Sequence, residues 1–246
     1  MANWSDPRAT ARPDIRPAAD ARDVSFDAGL RAHMLSVYNY MASGVLLTGI
    51  VAYGAALMGI PQALFMSGAS FLGIALMLAP LVMAFYLMAR FHRMSTAGMQ
   101  VFFWSFAVLM GLSMSYIPIL YNGSSIATAF AGTAAAFASL SLWGYTTKKD
   151  LSGFGTFLIM GVVGLLVASI ANVIVRSDAM SLAISAVGVL LFAGLTAYDT
   201  QKIKSLYFEL AGTEFLGKSA IMGALTLYLD FINMFRFLLS LIGSRE

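Results

Sequence analysis

The sequence predicts an all-α, polytopic membrane protein: a seven-transmembrane-helix bundle with a central seventh helix. Three observations predict it. Hydrophobic residues make up 59% of the chain and charged residues 11%, against about 45–50% and 25% in an average soluble domain. Apolar runs of roughly 20 residues recur, the length that crosses a hydrocarbon core about 30 Å thick. The short alternating segments of a membrane β-barrel, about 10 residues each, are missing.

The elements follow in order. Residues 1–29 are polar, with Pro7, Pro13 and Pro17 among alternating charges, and read as a disordered cytoplasmic tail. That stretch has no apolar core of the kind a cleavable signal requires. The remainder, 30–246, reads as one transmembrane domain. Its apolar segments fall at 32–58, 66–90, 97–118, 124–146, 153–175, 179–200 and 219–242. Pro80 lies inside the second and predicts a kink, tolerated where neighbouring helices satisfy the freed carbonyl. Gly161, Gly164 and Gly188 read as points of close helix approach, since small residues let backbones meet in lipid.

Basic residues set the orientation. Five arginines (Arg8, Arg12, Arg16, Arg22 and Arg31) precede or open the first segment, and the first connection, 59–66, has none. Arg90 and Arg93 mark the second connection, the third has none, and Lys148 and Lys149 mark the fourth. The fifth holds only Arg176, and the sixth holds Lys202, Lys204 and Lys218. This alternation places the N-terminus in the cytoplasm by the positive-inside rule. With seven spans the C-terminus falls on the other side.

Two acidic residues stand apart from the other ten. Asp199, in LTAYDTQKIK, and Asp230, in LYLDFIN, lie within or at the end of apolar sequence. A carboxylate inside a membrane costs several kcal/mol unless paired, protonated or wet, which makes it a functional candidate. Asp230 lies about 11 residues, or roughly 16 Å, into the seventh segment. Ser219, Gly223, Thr226, Asp230 and Asn233 follow at spacings of four, three, four and three, one small-and-polar helix face. Ser181, Ser185, Gly188, Thr196 and Asp199 make a similar stripe on the sixth.

If the stripes face each other and the sixth helix continues past Asp199, the carboxyls meet. Two such groups in a low dielectric do not both ionise easily, so they share a proton and titrate as a pair. Ionised, they offer oxygen ligands to a hard cation such as calcium, as a weak site. Arg90 and Arg93 enter at the same level, and either could pair with an ionised aspartate as a latch. The competing reading makes Asp199 a solvated helix-end residue and the two arginines ordinary interfacial anchors.

Other signals point elsewhere or nowhere. There is no cysteine, hence no disulfide framework, thiolate site or cysteine nucleophile. His33 and His92, the two histidines, are far apart and suit interfacial packing better than a metal site. The methionines keep no repeating spacing and read as gap fillers. Asn122-Gly-Ser reads as a turn rather than a glycosylation acceptor. Phosphate loops, nucleophile elbows and zinc-protease helices are absent, so the chain is not expected to be an enzyme or to carry a cofactor. The small net charge of +3 reflects basic loops rather than a nucleic-acid surface.

The segments AYDTQKIK and ALTLYLDFINMF resemble the signature of the Bax inhibitor-1 family of seven-helix membrane proteins, also called the TMBIM family. GYTTKKDLSGFGTFLIMG, residues 144–161, is similar to a stretch of that family's bacterial branch. The resemblance spans roughly residues 30–242. It implies a pH-gated cation leak, chiefly for calcium, in which the sensing aspartates are Asp199 and Asp230. It also implies an arginine latch at Arg93 or Arg90. A second implied role is binding and restraining other membrane proteins, membrane-embedded proteases among them. The sixth connection, 205–218, is long for the family and leaves the distance between Asp199 and Asp230 open. The expected partners are the bilayer, calcium, protons and another membrane protein; the expected location is a bacterial inner membrane.

Overall fold

A computed structural model describes residues 16–66, 71–90 and 93–244. All of its regular structure is helical: α1 (Arg16–Leu57), a short π-helical turn (Gln62–Met66), α2 (Phe71–Arg90), α3 (Thr96–Ser113), α4 (Ile117–Leu120), α5 (Gly123–Thr146), α6 (Ser152–Val175), α7 (Asp178–Leu210) and α8 (Phe215–Ile242). Residues 1–15, about half of the expected tail, lie outside the described residues, and the helical backbone of α1 begins at Arg16. His92 also lies outside them.

Among the described residues, six helical stretches are long and apolar enough to cross a membrane: Ala28–Leu57, Thr96–Leu120, Gly123–Thr146, Ser152–Val175, Asp178–Leu210 and Phe215–Ile242. Phe71–Leu87 is a shorter apolar helix beside them. α8 packs against α7, α1, α5 and α3, and α7 also receives α5 and α6. α6 buries only Gly155, Leu158 and Leu165, and exposes large apolar residues such as Phe157, Val167 and Ile174. That is the pattern of a helix whose outer faces meet lipid.

Local chemistry fixes the ends. Ser95 caps α3 by accepting from the Gly98 N–H at 3.0 Å, and Ser177 caps α7 through the Met180 N–H at 3.3 Å. Such caps satisfy donors that the first turn leaves orphaned. Asn122 does the same for α5, accepting from the Ser125 N–H at 2.8 Å. It is a helix cap rather than the turn residue expected. Pro118 falls in the first turn of α4, a position where its missing N–H is no loss, and it marks the break after α3.

The sixth connection differs most from expectation. α7 does not stop near residue 200 but runs on to Leu210, leaving only residues 211–214 to reach α8. Ile203 and Tyr207 are buried while Lys202 and Glu209 are exposed, so the extension is an amphipathic helix held by its apolar side. The supposed long loop is helix, and it leaves Asp199 well inside α7.

The glycines divide. A Cβ on Gly188 would stand 2.6 Å from the Phe237 ring, and one on Gly161 would stand 2.6 Å from Leu191 Cδ2. Both are close-packing positions. A Cβ on Gly164 would meet nothing within 4 Å, so this glycine is not an approach point; it shares a helix with the lipid-type faces just described.

Candidate functional site

α7 and α8 lie against each other along most of their length, and contacts on the two helices step in opposite directions. A Cβ on Gly223 of α8 would sit 3.0 Å from Ile203 of α7. Gly188 of α7 faces Phe237 of α8, and the Ser185 and Ser240 hydroxyls lie 3.1 Å apart. Between the Ile203 and Gly188 levels this antiparallel register brings Asp199 to Asp230.

The two carboxyls face each other closely enough to interact directly. Asp199 is 8% exposed and Asp230 4%; among the described residues they are the only buried acidic side chains. Asp230 Oδ2 is fully enclosed and receives no hydrogen bond from any conventional donor among the described residues. An enclosed carboxylate oxygen without a donor is costly, a cost that protonation of the pair would relieve. The charged neighbour that Asp199 feels is Lys202, one turn along α7.

The other expected site residues divide. Thr196 is fully buried beside the pair, its Oγ1 donating to the Phe192 carbonyl at 2.8 Å. Gly223 lies in the α7–α8 contact. Thr226 and Asn233 are half-buried and bond back to their own helix, at Met222 O (3.1 Å) and Leu229 O (2.9 Å). Arg90 and Arg93 are exposed, and the described contacts join neither to Asp199 or Asp230.

Sequence reasoning missed a polar chain that approaches the pair from the side. The Tyr38 hydroxyl on α1 is 2.5 Å from Ser141 Oγ on α5. Ser141 is 2.9 Å from Thr200 Oγ1, next to Asp199, and Thr200 donates to the Thr196 carbonyl at 2.7 Å. α5 comes close enough for this because Gly144 has no side chain. A Cβ there would fall on the Ala197 carbonyl oxygen and stand 2.9 Å from its carbon.

A second missed network holds the bundle on the α3 side. Tyr228 is fully buried, its hydroxyl 2.7 Å from Thr48 Oγ1, and Phe103 and Phe106 meet its ring edge-on at 6.1 and 6.0 Å. His33 packs on Tyr207 with ring centroids 5.4 Å apart, consistent with a packing residue.

The QKIK segment clamps the α5–α6 loop. The Gln201 side chain donates to the Lys149 carbonyl at 2.8 Å and accepts from the Leu151 N–H at 2.9 Å. Lys204 Nζ donates to the Tyr145 carbonyl at 2.8 Å. In the same loop, hydrogen bonds from the Ser152 side chain and backbone hold the Asp150 carboxyl below the usual carboxylate range. No group of three or more His, Asp or Glu among the described residues is placed to hold a metal ion. Ligands to a cation at the pair beyond the two carboxylates would be hydroxyls, carbonyls or water.

Fold and site together define a class: a membrane-embedded helical bundle with a carboxyl pair closed between two antiparallel helices. The family model described as "Inhibitor of apoptosis-promoting Bax1" matches residues 30–246. The chain is 44% identical over 228 residues to an uncharacterised protein of Rickettsia prowazekii, covering 92% of this chain and 95% of that one. It is 43% identical over 221 residues to the inner membrane protein YbhL of Escherichia coli K12, covering 89% and 94%. A Caulobacter vibrioides protein is 43% identical over 240 residues, covering 93% and 94%. The chain belongs to the Bax inhibitor-1 family.

Proposed function

We propose that this protein is a pH-sensitive cation leak, with calcium as the principal ion, gated by the Asp199–Asp230 pair. The observation that carries the reading is the pair of facing carboxyls buried within two membrane-length helices. With one proton between them the carboxyls tie α7 to α8. Once that proton leaves, two like charges face each other in a poorly solvated place and push the helices apart. The same ionised oxygens are hard ligands of the kind that calcium takes. Two carboxylates make a weak site, which suits passage better than storage.

In this reading Phe71–Leu87 is the seventh span and α8 the axis of the bundle. Lys148, Lys149, Lys202, Lys204 and Lys218 gather at one end, which the positive-inside rule assigns to the cytoplasm, together with the N-terminus. Arg90 or Arg93 would serve as a latch only after the end of α2 moves toward the pair. Similarity to a protein named an inner membrane protein supports a bacterial inner membrane as the setting.

Calcium flux into proteoliposomes, measured on either side of neutrality, tests the reading. Asp230→Asn keeps the size and a hydrogen-bond donor but cannot titrate as an acid. The wild type is expected to change its flux with pH and Asp230→Asn to lose that change. An unaltered pH profile in the variant would remove the pair from the gate.

A further inference from the structure

The half of the bundle away from the lysines contains a cavity of about 750 Å³, bounded by α2, α4, α6, α7 and α8. Arg236 lines it. This residue lies six positions before the end of α8, about 9 Å along the helix axis, so it belongs to the membrane-length part of the chain. Its side chain is exposed, and the described contacts give it neither a hydrogen bond nor an ion pair. An arginine at such a depth marks a functional site unless it is wet or paired, and among the described residues no Asp or Glu lines the cavity.

Hydrogen-bond accounting gives the cavity a sign. Arg236 brings five N–H donors and no acceptor. Asn172, on α6, lines the same cavity, and its Oδ1 already accepts from the Ser177 N–H at 3.0 Å, which leaves its amide group as two donors. Asn233, one turn from Arg236, spends one N–H on the Leu229 carbonyl and keeps the other beside a single acceptor oxygen. The Ser185 hydroxyl donates to the Ser181 carbonyl at 2.9 Å and lies 3.1 Å from the Ser240 hydroxyl. The wall is therefore rich in unspent donors around one fixed positive charge. Leu81, Val162 and Leu166 make much of the rest apolar, and Leu81 and Leu166 are more than half exposed.

We infer that this cavity binds a phosphate-type oxyanion, held by the Arg236 guanidinium and the amide groups of Asn172 and Asn233. Arg is suited to this because its planar fork matches two oxygens at once. The apolar wall accepts hydrocarbon attached to the anion, so a phospholipid headgroup and a soluble oxyanion both satisfy the site. The inference is independent of the calcium reading. A bound anion would neutralise a charge that otherwise opposes a cation at this end of the bundle.

Two probes separate the sources, both applied to the full chain purified in detergent. Native mass spectrometry compares retention of phosphatidylglycerol with that of phosphatidylcholine carrying the same acyl chains. Thermal unfolding compares inorganic phosphate with chloride at equal ionic strength. The wild type is expected to prefer phosphatidylglycerol or to be stabilised by phosphate. Arg236→Gln should weaken whichever binding is seen by about tenfold or more, and Arg236→Lys by less. Asn172→Leu, which leaves the charge untouched, should weaken it about threefold. Retention of the lipid alone identifies a headgroup site, and a response to phosphate alone identifies a soluble ligand. If neither probe binds the wild type, or if Arg236→Gln binds as the wild type does, the site is overturned. Should Arg236→Gln not fold, undiminished binding by Asn172→Leu overturns it equally.

Discussion

Replacing Gly144 with alanine strikes the packing that brings α5 beside Asp199. The new methyl group would collide with the backbone of Ala197, landing on its carbonyl oxygen and 2.9 Å from both its carbonyl carbon and its Cα. Backbone atoms cannot turn aside as a side chain can, so α5 and α7 must separate locally. Overpacking of this kind costs about 1–3 kcal/mol, and the backbone collision puts Gly144→Ala at the upper end. For a chain of 246 residues, about 3 kcal/mol corresponds to a fall in Tm of roughly 6–12 °C on the scaling for large domains. Thermal unfolding of the detergent-solubilised protein measures it. Gly164→Ala is the matched control, since its Cβ meets nothing within 4 Å, and it should leave Tm within about 2 °C of wild type. Equal Tm values for the two variants would refute the close approach of α5 to α7.

Three further expectations rest on separate contacts. Ser141→Ala and Thr200→Val each break the chain from Tyr38 to the neighbourhood of Asp199 and should each cost about 0.5–1.5 kcal/mol; because both cut one chain, the double variant should cost less than the sum in unfolding measurements. Gln201→Ala removes the acceptor of the Leu151 N–H, and hydrogen exchange at that amide should quicken about fivefold if roughly 1 kcal/mol of protection is lost. Asp150 sits below the usual carboxylate range because its ionised form accepts from Ser152, so its contribution is present above the unfolded value and lost as pH falls through the folded one. Asp150→Ala should therefore speed exchange at the Ser152 amide near neutrality, and the difference from wild type should disappear in acid.

The carboxyl pair was legible in the sequence because its signal is contrast: two acids in apolar surroundings, each on a stripe of small and polar residues. Thr196 and Gly223 belonged to the same pattern and do lie at the α7–α8 seam. The true end of α7 was hidden by Lys202, Lys204 and Glu209, whose charge reads as loop. The positions Asp199, Ile203 and Tyr207 nevertheless repeat every four residues and carry the buried face on. Arg236 escaped notice for the opposite reason, one charge submerged in an apolar helix. Its importance comes from a cavity built by five helices, which no single segment reveals. Tyr38, Ser141 and Thr200 are ordinary residues in their own segments and become a chain only when α1, α5 and α7 meet.

The proposed gate requires Asp199 and Asp230 to titrate as one unit. Infrared difference spectra of the reconstituted protein, followed through a pH titration, observe the carboxylic acid group directly. If the two groups share a proton, Asp199→Asn and Asp230→Asn should each move the titration of the carboxyl that remains, because each removes the like charge facing it. A remaining carboxyl that titrates as it does in the wild type, in either variant, would contradict the pairing.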